Sequence, residues 1–164
     1  MIRWYGLAVG VLALDQATKW LALVLLRDSG SVAVLPFLSW TLTCNTGAAF
    51  SMFQDLGWLF AIAAVLVSVY LIVAIWRYTS TSLEGVSNAL ILAGAVGNLV
   101  DRLIRGCVVD FVHVHYGWFN FPVFNVADSA ITLGAAGWIA LIVADVVRNR
   151  RDRGAGAGSN GRSE

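Results

Sequence analysis

The sequence predicts an all-α integral membrane protein: four transmembrane helices with a small extracytoplasmic β-sheet, or cradle, on the outer membrane surface. Three observations carry that expectation. Of 164 residues, 59% are hydrophobic and 13% charged, and the mean hydropathy of +0.75 is too high for an ordinary soluble domain. Four apolar runs of about 20 residues match a bilayer core of about 30 Å. Between the first two lies a stretch whose apolar residues alternate, the period of a strand.

The first run, about 4–26, could be mistaken for a cleavable secretion signal. It is long enough to span a bilayer, contains Asp15 and Lys19, and lacks a small-residue cleavage pattern, so it is expected to remain as a helix. Residues 31–46 are rich in β-branched and aromatic side chains, and from Phe37 onward Leu38, Trp40 and Leu42 alternate with Ser39, Thr41 and Thr43. One or two short surface strands are expected there. Pro36 breaks the run, Asn45-Thr46-Gly47 supplies turn chemistry at its end, and Trp40 is expected to cover a site from the water side.

The second helix, about 56–76, contains no charge, and Trp58 and Trp76 lie about 27 Å apart along it, matching the two interfacial belts. The third, about 86–104, is charge-free until Asp101 and Arg102. The fourth, about 124–147, is charge-free from Ser129 to Ala144, and its Gly134, Ala135, Ala136 and Gly137 favour close helix packing. Residues 1–150 are therefore expected to form one membrane-embedded domain. Residues 151–164, rich in Gly, Ser and Arg with no apolar periodicity, are expected to be a disordered cytoplasmic tail.

The arginines orient the bundle. With the N-terminus cytoplasmic, Arg3, Arg77, Arg148, Arg150, Arg151, Arg153 and Arg162 lie inside, and only Arg27 and Arg105 lie in the outer loops. Both termini are then cytoplasmic, and the first and third loops face out. The C-terminal arginine cluster reads as a topology signal, and no nucleic-acid partner is expected.

Against this apolar background the polar residues stand out. Asp110 and Asp128 flank the stretch between the third and fourth runs, and acids converging near a bilayer are a functional hypothesis by default. They are expected to form an aspartyl-protease dyad at the membrane surface. Asp15 and Lys19 share a helix face at i, i+4, either as a structural ion pair or as a substrate contact. Gly94, Asn98 and Arg102 form a stripe at i, i+4, i+8, with Asp101 one position off it; Gly94 and Gly97 would admit a close neighbour. Asn125 and Asp128 share a face at the start of the fourth helix, where an acid also suits the helix dipole. His113 and His115 sit in a β-like alternation with Phe111, Val112 and Val114 and lack a second ligand cluster, so no metal or cofactor is expected. Cys44 and Cys107 can pair, but nothing around them requires it, and they are expected to be small apolar fillers.

Five blocks occur in order between about Gly10 and Ala144: Asp15-x-x-x-Lys19; Asn45-Thr46-Gly47-Ala48-Ala49-Phe50-Ser51; Gly94-x-x-Gly97-Asn98-x-x-Asp101-Arg102; Val109-Asp110-Phe111; and Phe124-Asn125-Val126-Ala127-Asp128. Together they resemble lipoprotein signal peptidase (signal peptidase II). The resemblance implies that Asp110 and Asp128 are the catalytic dyad and that Asn45, Asn98, Arg102 and Asn125 line the site. Asp15 and Lys19 would be a further pair supporting it, and Gly94 part of the same surroundings. It also implies a bacterial inner-membrane enzyme, expected as a monomer, whose partners are membrane lipid and prolipoproteins. These would be cut N-terminal to a diacylglyceryl-modified cysteine at the outer face. A rival from another class is a small transporter or channel subunit, in which Asp15, Lys19, Asp101, Arg102, Asp110 and Asp128 would be spread through the membrane depth as an ion path.

Overall fold

Four helices and four strands follow one another as α1 (Ile2–Leu25), β1 (Ser31–Leu35), β2 (Leu38–Asn45), α2 (Gly57–Arg77), α3 (Ser82–Arg105), β3 (Val108–Tyr116), β4 (Phe119–Asn120) and α4 (Val126–Ser159). The structure, a computed structural model, describes residues 1–47 and 57–159, with side chains through residue 150. All four helices are long and apolar enough to cross a membrane, α4 over Val126–Arg150. Their outward faces are apolar, as at Leu14, Trp20, Leu66, Trp76, Ile139 and Val143. That arrangement suits a bundle solvated by lipid, where backbone polar groups must be satisfied inside each helix.

The other three helices pack on α3. Ala8 of α1, Leu71 and Ile75 of α2, and Ala89, Leu92 and Ala93 of α3 form one buried cluster. Small residues set the distances. A Cβ at Gly94 would collide with the Ala127 carbonyl and with Ile131, and one at Gly134 or Gly137 of α4 would collide with Ser87. Those glycines let α3 and α4 meet backbone to backbone.

Helix α3 starts four residues before the expected Val86. Its start is set by a cap: Thr81 Oγ1 accepts from the Glu84 N–H at 3.2 Å, and Glu84 Oε2 accepts from the Ser80 N–H at 2.9 Å. Thr81-Ser82-Leu83-Glu84 thus has the sequence of a capping box and lies ahead of the apolar run, with Glu84 reaching the N–H one residue before the cap. The helix ends at Gly106, whose left-handed φ of 75° returns its N–H to the Arg102 carbonyl. Helix α4 runs past the expected Val147, and the backbone of residues 151–159 is helical where a disordered tail was expected. Residues 160–164 lie outside the described residues.

The strands expected in 31–46 are a β1–β2 hairpin, the first half of a four-stranded antiparallel sheet of order β1-β2-β3-β4. In β3 the alternation of Phe111–Val114 extends into a full strand. Trp40 packs on Phe111 at 5.9 Å between ring centroids. Between β2 and β3 the register shifts between Trp40 and Thr43, after which Thr43 faces Asp110, Cys44 faces Val109 and Asn45 faces Val108.

The cysteines are a correction. Cys44 and Cys107 form a disulfide, with Cα atoms 5.5 Å apart and 63 residues between them in sequence. The turn at Gly106 carries Cys107 to the start of β3, directly beside the last residues of β2, and this proximity is invisible in the linear chain. Closing so long a loop stabilises the fold on the order of 4 kcal/mol on chain-entropy grounds.

Candidate active site

Backbone pairing brings the two acids together. Asp110 sits on β3, and after β4 the chain turns back along that strand. The N–H groups of Phe111 and Val112 donate to the Phe124 carbonyl at 3.1 and 2.8 Å, and the Phe124 N–H donates to the Val112 carbonyl at 3.0 Å. The next residue, Asn125, opens α4. Its Oδ1 accepts from the Asp128 N–H at 2.8 Å, while its own N–H donates to Asp128 Oδ2 at 3.2 Å, a reciprocal cap. Asp128, whose first-turn position suits the helix dipole, is thus also part of the cap, which holds its carboxylate beside Asn125.

The cap also fixes the amide of Asn125. With Oδ1 engaged, Nδ2 points at Asp110 Oδ1, 2.7 Å away, with Asn98 Oδ1 at 3.2 Å and the Val109 carbonyl at 3.3 Å also in reach. Asn45 Nδ2 donates to the other oxygen of Asp110 at 3.1 Å, and Asn98 Nδ2 donates to Asp128 Oδ1 at 2.8 Å. Every oxygen of both carboxylates thus accepts an N–H. Asp110 is only 2% exposed. Its burial, and then the charge of Asp128, push its carboxyl up to about 7, against the opposing effects of Asn45, Asn125 and Lys19.

Behind the acids lies a buried charge cluster. Lys19 Nζ is 2.9 Å from Asp15 Oδ2, 2.9 Å from Asp101 Oδ2 and 3.0 Å from Asn98 Oδ1, which occupies all three of its protons. Because Lys19 and Asn125 both donate to Asn98 Oδ1, Asn98 must present its NH₂ to Asp128. The acids of the cluster reach further: Asp15 Oδ1 accepts the Ala127 N–H at 2.8 Å, and Asp101 Oδ2 accepts the Val109 N–H at 3.1 Å. One buried ammonium thereby fixes the first turn of α4 and the first residues of β3. Asp101, fully buried and also paired with Arg105, is more central than its position off the stripe suggested. Gln16, which bonds Asp15, the Gly97 carbonyl and Asp101, was missed.

Arg102 donates from Nη1 to the Asn98 carbonyl and from Nη2 to the Gly47 carbonyl, both at 3.3 Å, while its buried Nε has no partner among the described residues. Asp110, Asp128, Asn45, Asn98 and Arg102 all line one cleft of about 640 Å³, whose remaining walls are largely apolar: Val108, the stretch from Phe121 to Phe124, Ile131 and Leu133. A second cleft, of about 390 Å³, meets Asp110 from the sheet side and is lined by Thr43, Cys44, Asn45, His113 and Asn120.

The structure thus gathers Asp110, Asp128, Asn45, Asn98, Arg102 and Asn125, with Asp15 and Lys19 one layer behind. Gly94 is placed elsewhere, in the α3–α4 contact. His113 and His115 stack at 5.0 Å, and His115 Nε2 meets Ser39 Oγ at 2.9 Å; among the described residues no group of acids, histidines and cysteines has the makings of a metal site. Ala48, Ala49, Phe50 and Ser51 of the second sequence block lie outside the described residues.

Comparison with known proteins matches residues 7–144 to the family model of signal peptidase (SPase) II. The lipoprotein signal peptidase of Acinetobacter baumannii is 49% identical over 136 residues, covering 80% of this chain and 77% of its own. That of Pseudomonas putida is 48% identical over 143 residues, covering 82% of each. A solved bacterial membrane enzyme, determined by the in meso method at 2.3 Å resolution, superposes with a TM-score of 0.79 at 30% identity, covering 89% of this chain and 90% of that one.

Proposed function

The chain belongs to the signal peptidase II family of lipoprotein-processing proteases, and from that premise we propose that it is an aspartyl endopeptidase using Asp110 and Asp128. Its substrate is a bacterial prolipoprotein, cut N-terminal to the diacylglyceryl-modified cysteine. The observation that carries the reading is Asn125, whose side chain bonds one carboxylate and whose backbone bonds the other, at the wall of an apolar cleft.

Two carboxylates this close hold one proton between them near neutral pH, because ionising both in a buried site is costly. Asp110 carries that proton and Asp128 is the base. A water between them attacks the scissile carbonyl carbon, giving a proton to Asp128 while Asp110 protonates the carbonyl oxygen. The resulting gem-diol collapses as Asp110 takes a proton back, the C–N bond breaks, and Asp128 protonates the leaving amine. Both acids end as they began, and the pair titrates as a unit.

Asn98, Asn125 and Asn45 fix the carboxylates in place, and Lys19 with Asp15 fixes Asn98. Arg102 Nε, desolvated beside the cleft and without a partner among the described residues, is assigned to a substrate carbonyl. The apolar walls from Phe121 to Phe124 and at Ile131 and Leu133 seat the acyl chains and the signal segment. The sheet lies on the outer surface of the inner membrane. The arginine distribution supports that side, and so does the Cys44–Cys107 disulfide, since such bonds persist in oxidising compartments. Residues 1–150 work as one domain and as a monomer.

The ion-path alternative is not favoured: Asp15, Lys19, Asp101 and Asp128 are linked through Asn98 and backbone N–H groups into one cluster. Incubating the purified protein with a diacylglyceryl-modified precursor tests the proposal. The expected product is the precursor shortened to begin at the modified cysteine; an intact precursor rejects it.

A further inference from the structure

Cys44 is exposed in the second cleft, while Cys107 is buried. Their bridge ties the end of β2 to the start of β3. The next residue after Cys44 is Asn45, whose Nδ2 donates to Asp110 Oδ2 at 3.1 Å and whose Oδ1 accepts the Gly47 N–H at 3.0 Å. The Gly47 carbonyl in turn accepts from Arg102 Nη2 at 3.3 Å. Asn45 and Gly47, within three residues of Cys44, thus hold an oxygen of Asp110 and an arm of Arg102.

The ladder alone secures this corner weakly. After the register shift between Trp40 and Thr43, only Thr43–Asp110, Cys44–Val109 and Asn45–Val108 remain paired before β2 ends. A short ladder beyond a bulge twists and frays more readily than a continuous one. The disulfide is the covalent tie across it.

We infer that Cys44 and Cys107 are positioning residues of the active site, their bond holding Asn45 against Asp110, so that a dithiol reductant entering the second cleft slackens the site reversibly. The inference rests on the peptidase reading above. In the reducing step a thiolate of the dithiol attacks the exposed Cys44 Sγ. The S–S bond breaks, and Cys107 leaves as a thiolate that is then protonated. The second thiol of the reductant displaces Cys44 as it closes its own disulfide, so two electrons and two protons pass to the protein.

Freed from the bridge, Asn45 no longer donates steadily to Asp110. That donor favours the charged carboxylate, so its loss raises the pH at which Asp110 titrates. The charged and titratable groups around Asp110 stay in place: Asp128 on α4, Lys19 on α1, Arg102 on α3 and His113 farther along β3. Beside Asp110, β2 contributes Thr43, the cystine and Asn45, and nothing that titrates.

The test uses the full chain in lipid nanodiscs, acting on a diacylglyceryl-modified precursor before and after dithiothreitol, with labelling to verify the two released thiols. Reduction is expected to lower kcat roughly tenfold, the scale of one hydrogen bond to a charged group, with little change in KM. The limb of the pH profile governed by Asp110 should move to higher pH, and reoxidation should restore both. C44S/C107S should match the reduced protein and ignore the dithiol, while the thermal unfolding transition remains. An unchanged rate and pH profile after full reduction overturns this inference alone. Loss of the unfolding transition together with activity also overturns it, making the bridge a general brace. An oxidised wild type that cleaves nothing rejects the peptidase reading and takes this inference with it.

Discussion

Asn125 Nδ2 donates to Asp110 Oδ1 at 2.7 Å, and Asn125 can do so only because its own Oδ1 caps the helix that carries Asp128. Helix capping and site geometry are therefore one interaction. Replacing Asn125 with Ala should reduce kcat by about 10²-fold, the range seen when one directed donor is removed from a catalytic site. KM should change little. Equal losses in Asn125→Ala and Asn125→Asp would agree with this; near wild-type turnover in Asn125→Ala would contradict it.

The position of the Asp110 carboxyl near 7 has two consequences. Turnover should fall as pH rises through about 7, where the pair loses its shared proton. Stability follows the same direction. The folded-state value lies above the ordinary 3.8, so the native state holds a proton that the unfolded chain releases, and the associated stability is lost as pH rises from 3.8 to about 7. Thermal unfolding of Asp110→Asn should lack this slope; an identical slope in the variant would refute the assignment.

Lys19→Met should be destabilising by about 3–5 kcal/mol, because it strands Asp15 as an uncompensated buried acid and leaves Asp101 with Arg105 alone. The loss also releases Asn98 to flip its amide away from Asp128, so activity should fall further than stability explains. Comparing thermal midpoints and turnover of Lys19→Met with those of a lipid-facing control such as Leu14→Met separates the two effects.

Glycine substitutions should split by position. A Cβ at Gly97 would strike Asp15 Oδ2 at 2.5 Å, so Gly97→Ala should displace the ion cluster and cost about 1–3 kcal/mol. Among the described residues nothing lies within 4 Å of a Cβ at Gly10, and Gly10→Ala should be neutral or stabilising by up to about 1 kcal/mol. Matching losses at both positions would show that contact with the buried cluster does not decide the outcome.

How much of this was legible in the sequence depended on whether the signal was local. Apolar run length located all four helices, and alternation located β2, because each is a property of neighbouring residues. The start of α3 was misplaced because its capping-box sequence precedes the apolar run. The stripe of Asn98 and Arg102 pointed correctly to the cleft. Asp101 was undervalued, although Gly97 and Asp101 at i, i+4 share a second face, the one turned to Asp15 and Lys19 of α1. The disulfide could not be read, since it depends on the β2–β3 register and the turn at Gly106. The direction of each asparagine amide was equally out of reach: it is decided by a lysine from α1 and a helix cap on α4, partners far apart in the chain.

The central claim is that positions 110 and 128 act together on one water. Its most direct measurement is the cleavage rate of a diacylglyceryl-modified precursor by Asp110→Asn and Asp128→Asn, each reconstituted in membranes and shown to be folded. The account predicts that either substitution alone abolishes product formation. Sustained cleavage by either variant would contradict it.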